Sequence, residues 1–161
     1  MQPIHQTTLK KLDGAHFFFA SPGPARHNSL LVDTIELFVP RYVPNAYLLH
    51  LQDQANTIAI FEREQLQQLG VANVHPSDLP DILLYQAKKQ VLFCIDVLNR
   101  HGSISYGRKH FLEQLMLACP LRRIYISSCY DFHDYKQIAS QIAWGTYTWL
   151  AHAPEHIIFH W

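Results

Sequence analysis

The chain has 161 residues, of which 48% are hydrophobic and 16% are charged. This balance is typical of a single globular domain and excludes a disordered chain. The formal net charge is zero, so the composition gives no global sign of nucleic-acid binding, although an acidic metal site can mask a basic rim in such a sum.

Cysteine usage and hydropathy predict where the protein works. The three cysteines form no Cys-x-x-Cys pair and no disulfide framework, which suits a reducing compartment. The N-terminal residues contain no apolar core of a secretion signal, and no apolar run reaches the thickness of a bilayer. We therefore expect a soluble, cytoplasmic protein that has no membrane partner.

The first half of the chain predicts short strands and helices in turn. The aromatic run at residues 16–20 predicts a strand. The helix that follows covers residues 29–39, with Asn28 or Ser29 as its cap and with Pro40 and Pro44 ending it. Two more strands and a helix that ends at Gly70 are predicted at residues 47–51, 57–61 and 62–69.

The second half contains a predicted hairpin within residues 79–98, whose two apolar runs are separated by the polar segment 86–90. The elements predicted after it are a helix, a strand, a helix and two terminal strands, at residues 107–118, 123–127, 131–142, 146–150 and 157–159. A strand that follows a helical crossover fits beside the hairpin. The pattern therefore predicts the α/β class, with a single-domain mixed β-sheet flanked by helices.

Two aspartates stand on the hairpin. Asp81 follows a proline at the head of the first apolar run, and Asp96 lies inside the second, within VLFCIDVL. A carboxylate among apolar side chains is costly to bury unless a cation compensates its charge. That cation is either a metal ion, which two acids on adjacent strands could share, or a basic side chain such as Arg100 or Arg108.

A set of sequence blocks, in order along the chain, carries a family resemblance. The blocks are SPGPARHNSL, LHLQDQAN, LPDILLY, VLFCID, HGSIS and IAWGTYTWLAHAPEHIIFH. They resemble the catalytic domain of the BsuBI/PstI restriction endonucleases, a family grouped with the PD-(D/E)xK nucleases. The resemblance divides the chain into an N-terminal extension, residues 1–15, and a nuclease-like domain with the restriction-endonuclease-like fold, residues 16–161. It implies Mg²⁺-dependent hydrolysis of double-stranded DNA.

The same resemblance assigns roles to individual residues. Asp81 and Asp96 match the two acidic positions and are the expected metal ligands, and Arg108 joins them as the third expected catalytic residue. Relatives of full length carry an additional N-terminal half for target recognition, so a homodimer or a separate recognition subunit is a further expected partner. The residues expected to contact nucleic acid are Asn28, Arg100, Arg108 and Lys109.

A second hypothesis belongs to another class of protein. Leu98 stands two residues after Asp96, where the PD-(D/E)xK pattern has lysine, and Thr57 stands where members of the family tend to carry lysine. Gly145 and Tyr147 occupy positions that are often glutamate in the family. These departures favour a catalytically inactive nuclease fold that binds nucleic acid or a protein partner.

Overall fold

A mixed β-sheet of nine strands forms the centre of the molecule. The computed structural model describes residues 4–20, 26–52, 58–98 and 103–161. The sheet order is β2-β1-β3-β5-β6-β7-β8-β9, and β4 pairs with β3. The strands are β1 Ile4–Lys11, β2 His16–Ala20, β3 Tyr47–Gln52, β4 Ile58–Phe61, β5 Ile82–Gln86, β6 Val91–Val97, β7 Arg122–Cys129, β8 Thr146–Leu150 and β9 Ile157–His160.

The middle of the sheet combines the two kinds of pairing. Strands β5 and β6 form the predicted antiparallel hairpin, and β7 then lies parallel to β6. Strand β8 continues in parallel with β7, and β9 closes the edge in the antiparallel direction. This arrangement confirms the predicted α/β class and the single-domain mixed sheet.

Helices cover both faces of the sheet. They are α1 Arg26–Asp33, a π-helical turn Thr34–Phe38, α2 Val39–Tyr42, α3 Arg63–Gln68, α4 Tyr106–Leu115 and α5 Phe132–Ile138. Leu30, Ile35 and Phe38 pack on the face that carries Phe93 and Ile95 of β6. The opposite face carries Leu92 and Cys94 of β6 and packs against Leu66 of α3 and Leu112 of α4. The described helices include none that is both long enough and apolar enough to cross a membrane.

Strand β1 was not predicted. It lies within residues 1–15, which the sequence describes as an extension, yet it pairs with β2 and with β3 and so belongs to the sheet. Its sequence, IHQTTLKK, has no apolar run, and hydrogen bonding to the neighbouring strands organises it instead. The starting residue of the nuclease-like domain stays a prediction.

Pro40 does not end the helical segment, contrary to the prediction for residues 29–39. The backbone passes through the π-helical turn, in which the Val39 N–H donates to the Thr34 carbonyl, and continues in α2 to Tyr42. Pro40 stands in the first turn of α2, where a missing N–H costs little. The helix predicted at residues 131–142 is also shorter, because α5 ends at Ile138 and a 3₁₀ turn follows.

Gly70 follows α3 and lies close to the backbone of Ala118, which follows α4. Its φ is +93°, and an added Cβ would lie 2.6 Å from the carbonyl oxygen of Ala118. Gly14 has a similar φ of +85° but open space around it.

We expect Gly14→Ala to lower the free energy of unfolding by about 1–2 kcal/mol, the cost of an alanine in the left-handed conformation. Gly70→Ala should cost more because backbone must also move, and equal costs in urea titrations would contradict this packing.

Candidate active site

The two aspartates of the hairpin lie side by side at one end of the sheet. Ile82 pairs with Ile95, so Asp81 and Asp96 stand one step further along and opposite each other, on the face that carries Leu83 and Cys94. Both residues are fully buried, at 0% exposure. The structure therefore brings the two predicted acids together on one face.

Each carboxylate accepts a hydrogen bond from backbone at the end of the hairpin. Oδ2 of Asp81 accepts from the Val97 N–H at 2.8 Å. Oδ1 of Asp96 accepts from the N–H of Asp81 at 3.2 Å. These bonds orient the two side chains toward each other's strand, and they stabilise the charged form of each carboxyl group.

Arg108 supplies the positive charge beside Asp96. Its Nε lies 2.7 Å from Oδ2 of Asp96, and its Nη2 lies 3.4 Å from Oδ1. The same guanidinium donates to the carbonyl oxygens of Asp78 and Leu79 at 3.3 and 3.2 Å. The Arg108 side chain is only 12% exposed. Of the two compensating cations considered from the sequence, the structure therefore shows the arginine.

Hydrogen bonds at the start of α4 position Arg108 toward the sheet. Ser105 is the N-cap, and its hydroxyl accepts a hydrogen bond from the Arg108 N–H at 3.2 Å. Just before it, the Ile104 N–H donates to Oγ of Ser127 at 2.9 Å. Ser127 pairs with Asp96 across the parallel strands β6 and β7. The helix therefore begins directly over the strand position that carries Asp96.

Two buried polar residues of β3 complete this end of the sheet, and the sequence reasoning did not single them out. The Gln52 N–H donates to the Asp81 carbonyl oxygen at 3.0 Å. Nδ1 of His50 lies 2.8 Å from the carbonyl oxygen of Pro80, so this nitrogen carries the proton. The available signal was the pair of polar residues at alternate positions of the strand LHLQ, which places both on one face.

The acid pair fits a hard divalent ion in its chemistry. Carboxylate oxygens are the ligands that Mg²⁺ takes, and this ion is often bound through only one or two carboxylates while it keeps several waters. Among the described residues, no group of three or more histidine, cysteine or acidic side chains is placed to hold a metal. The role of Asp81 and Asp96 as the protein ligands stays a prediction, and their position on one face is compatible with it.

Burial keeps the thiol of Cys94 and the phenol of Tyr125 neutral; these two residues are paired on β6 and β7. Burial, followed by the negative charge of Asp96, raises the pKa of Cys94 far above its ordinary value. Burial also raises the pKa of Tyr125 to about 12, although Arg123 opposes this shift. Both groups stay protonated near neutral pH, so neither is an activated nucleophile.

The other predicted contacts with nucleic acid are placed differently. Nζ of Lys109 donates to the Trp144 carbonyl oxygen at 3.0 Å and lies 3.9 Å from Glu113, on the flank of α4. Asn28 lies in α1, but its side chain is outside the described part of the chain, and so is the whole of Arg100. Contact of these residues with nucleic acid stays a prediction.

The buried pair of Asp96 and Arg108 should be costly to break from one side. We expect Arg108→Met to lower the free energy of unfolding by about 3–5 kcal/mol, because it leaves Asp96 buried without its counter-charge. Arg41→Met is the control, since the exposed pair of Arg41 and Glu155 spans 3.9 Å and is worth about 0–1 kcal/mol.

Adding Asp96→Asn to Arg108→Met should return part of the lost stability, since position 96 then carries no buried charge that needs compensation. Urea unfolding of the two single variants, the double variant and the control measures the coupling. An Arg108→Met cost no larger than that of Arg41→Met would contradict the assignment of a buried ion pair.

Comparisons with known proteins show which family and fold this chain resembles. The BsuBI/PstI restriction endonuclease domain matches residues 14–160. The Type II restriction enzyme BsuBI of Bacillus subtilis is 30% identical over 135 residues, which are 84% of this chain and 43% of that enzyme. The structure of SdaI restriction endonuclease superposes with a TM-score of 0.82 at 26% identity, over 97% of this chain and 48% of that one.

The chain thus spans less than half the length of both relatives. The match nevertheless covers nearly all of its own residues and includes both aspartates of the hairpin. The chain belongs to the BsuBI/PstI restriction endonuclease domain family, as the sequence blocks predicted.

Proposed function

We propose that this domain hydrolyses phosphodiester bonds of double-stranded DNA, in the manner of a type II restriction endonuclease, and that Asp81 and Asp96 hold a Mg²⁺ ion. The observation that carries the proposal is the juxtaposition of two buried carboxylates on neighbouring strands in a chain of a restriction endonuclease family. When bound, such an ion supplies an activated water and positive charge at the phosphate.

Arg108 has two roles in this proposal. In the structure it neutralises Asp96 with its guanidinium. We infer that it moves away from Asp96 when that carboxylate holds a metal, because the guanidinium already contacts both carboxylate oxygens and a second cation beside it would be repelled. Because Arg108 lies in the first turn of α4, the released side chain would be free to turn toward a phosphate. Exchange of one cation for the other keeps Asp96 compensated throughout.

Target recognition and location are further parts of the proposal. In this proposal, a partner takes part in the selection of the target sequence. A second copy of the domain, or a separate recognition subunit, fits that need. We place this activity in the cytoplasm, a reducing compartment that suits the three free cysteines.

A second candidate function is a catalytically inactive nuclease fold that binds nucleic acid or protein. The burial of Asp96 under Arg108 favours it, because a permanent arginine counter-charge leaves no need for a metal. Leu98 also favours it. This residue occupies the position of the expected lysine and lies buried, and its N–H donates to the Ser128 carbonyl oxygen as part of the sheet edge.

Asp81→Asn separates the two candidates. The amide keeps an oxygen that can accept from the Val97 N–H, but it removes the charge that a metal needs. We expect this variant to fold with wild-type stability to within about 1 kcal/mol and to lose cleavage of plasmid DNA in Mg²⁺. Glu113→Gln, on the outer side of α4, is the matched control and should cleave like the wild type.

The assay is divalent-dependent conversion of supercoiled plasmid, followed over time with Mg²⁺ and with Mn²⁺. Cleavage that survives Asp81→Asn would refute the role of the acid pair. An inactive wild type across both ions and several DNA substrates would favour the binding module instead.

A further inference from the structure

Two large aromatic side chains stand exposed beside the start of α4. Tyr106 is 59% exposed and Trp144 is 67% exposed. Their ring centroids are 6.5 Å apart, and their planes are inclined by 57°. We refer to these two residues as the aromatic pair. Burying this aromatic surface against a partner would be favourable in free energy. The aromatic pair is therefore a candidate binding surface.

Two ties fix the aromatic pair in place. The first is the isolated antiparallel β-bridge between Ser105 and Ile142, in which the Ala143 N–H donates to the Ile104 carbonyl oxygen at 3.0 Å. The second tie is the bond from Nζ of Lys109 to the carbonyl oxygen of Trp144 itself. The turn before β8 is thereby anchored to the helix, and the two rings are held together without being buried.

The same ties connect the pair to the strands that carry the acid site. Ile104, which accepts from Ala143, donates its own N–H to Ser127, the strand neighbour of Asp96. Tyr106 lies two residues before Arg108 in the first turn of α4, so the two side chains leave the helix on different sides. The sequence neighbours of the two rings are small, namely Ser105, Gly107, Ala143 and Gly145. This surface offers flat π faces beside the ammonium group of Lys109, which also lies 3.9 Å from Glu113.

We propose, on the basis of the nuclease function proposed above, that the aromatic pair stacks on an unpaired base of the DNA strand at the acid site. Stacking on aromatic side chains next to a cationic groove is the general way in which proteins hold single-stranded nucleic acid. Bases inside a duplex have both faces covered by their neighbours. The fit is therefore to an unpaired base, and not to a base that is paired within a duplex.

The test uses binding in the Asp81→Asn background, where DNA stays uncut. The probes are a fluorescein-labelled ten-nucleotide single strand and the blunt duplex of the same sequence, measured by anisotropy. We expect Trp144→Ala to weaken single-strand binding about tenfold, as loss of one stacked base implies. The duplex should change by less than about twofold.

Two further variants serve as controls for Trp144→Ala. Trp144→Phe keeps an aromatic face and should recover most of the affinity. Phe132→Ala removes a similarly exposed ring, at 57%, from α5 and should bind like the parent. A second, independent readout is tryptophan emission in a Trp161→Phe background, where exposed Trp144 should be quenched by the single strand, while Trp149 is buried.

Three results would overturn the inference. The first is unchanged single-strand affinity in Trp144→Ala, and the second is an equal loss for both probes. The third is a shift of molecular mass by light scattering without a change in DNA affinity, which would assign the surface to a second copy of the chain. If wild type cleaves DNA, such results remove this inference alone. If wild type neither cleaves nor binds DNA, the proposed function fails as well.

Discussion

The ion pair between Asp96 and Arg108 is the constraint on which this end of the molecule depends. Asp96 is fully buried in the middle strand of a mixed sheet, and its charge requires a compensating cation close by. Arg108 provides that charge and also binds the carbonyl oxygens of Asp78 and Leu79, which lead into β5. One guanidinium thereby joins β6, the approach to β5 and the first turn of α4. The position of α4 in turn sets the position of the exposed aromatic pair.

Because Arg108 compensates its charge, Asp96 can stay buried while no metal is bound. In a restriction endonuclease family, a pair of buried acids on neighbouring strands is the natural place for a divalent ion, and the carboxylate chemistry suits Mg²⁺. The arginine stabilises the metal-free state, because it places a positive charge 2.7 Å from the buried carboxylate of Asp96. In the nuclease we propose, metal binding and arginine release are then one exchange. In an inactive binding module, the arginine would stay in place permanently.

The sequence predicted the hairpin and the parallel strand after it because apolar runs, a polar loop and a helical crossover leave few other arrangements. It also placed Asp81 and Asp96 on adjacent strands. It could not choose between a metal and an arginine for Asp96, because both satisfy the same charge and Arg108 lies 12 positions away along the chain. Strand β1 was not predicted because its sequence is mostly polar. The exposure of Trp144 was not predicted because it depends on tertiary contacts, such as the hydrogen bond from Lys109, that the spacing of residues in the sequence does not reveal.

Direct measurement of metal affinity tests the central claim, namely that Arg108 and a divalent ion compete for Asp96. Mn²⁺ binding can be followed by electron paramagnetic resonance in the wild type, in Arg108→Gln and in the control Arg123→Gln, whose guanidinium binds the carbonyl oxygens of Cys119 and Leu121 instead. The account predicts that Arg108→Gln binds Mn²⁺ roughly tenfold more tightly than the wild type, and that Arg123→Gln does not differ from it. Equal or weaker binding in a folded Arg108→Gln variant would contradict the competition.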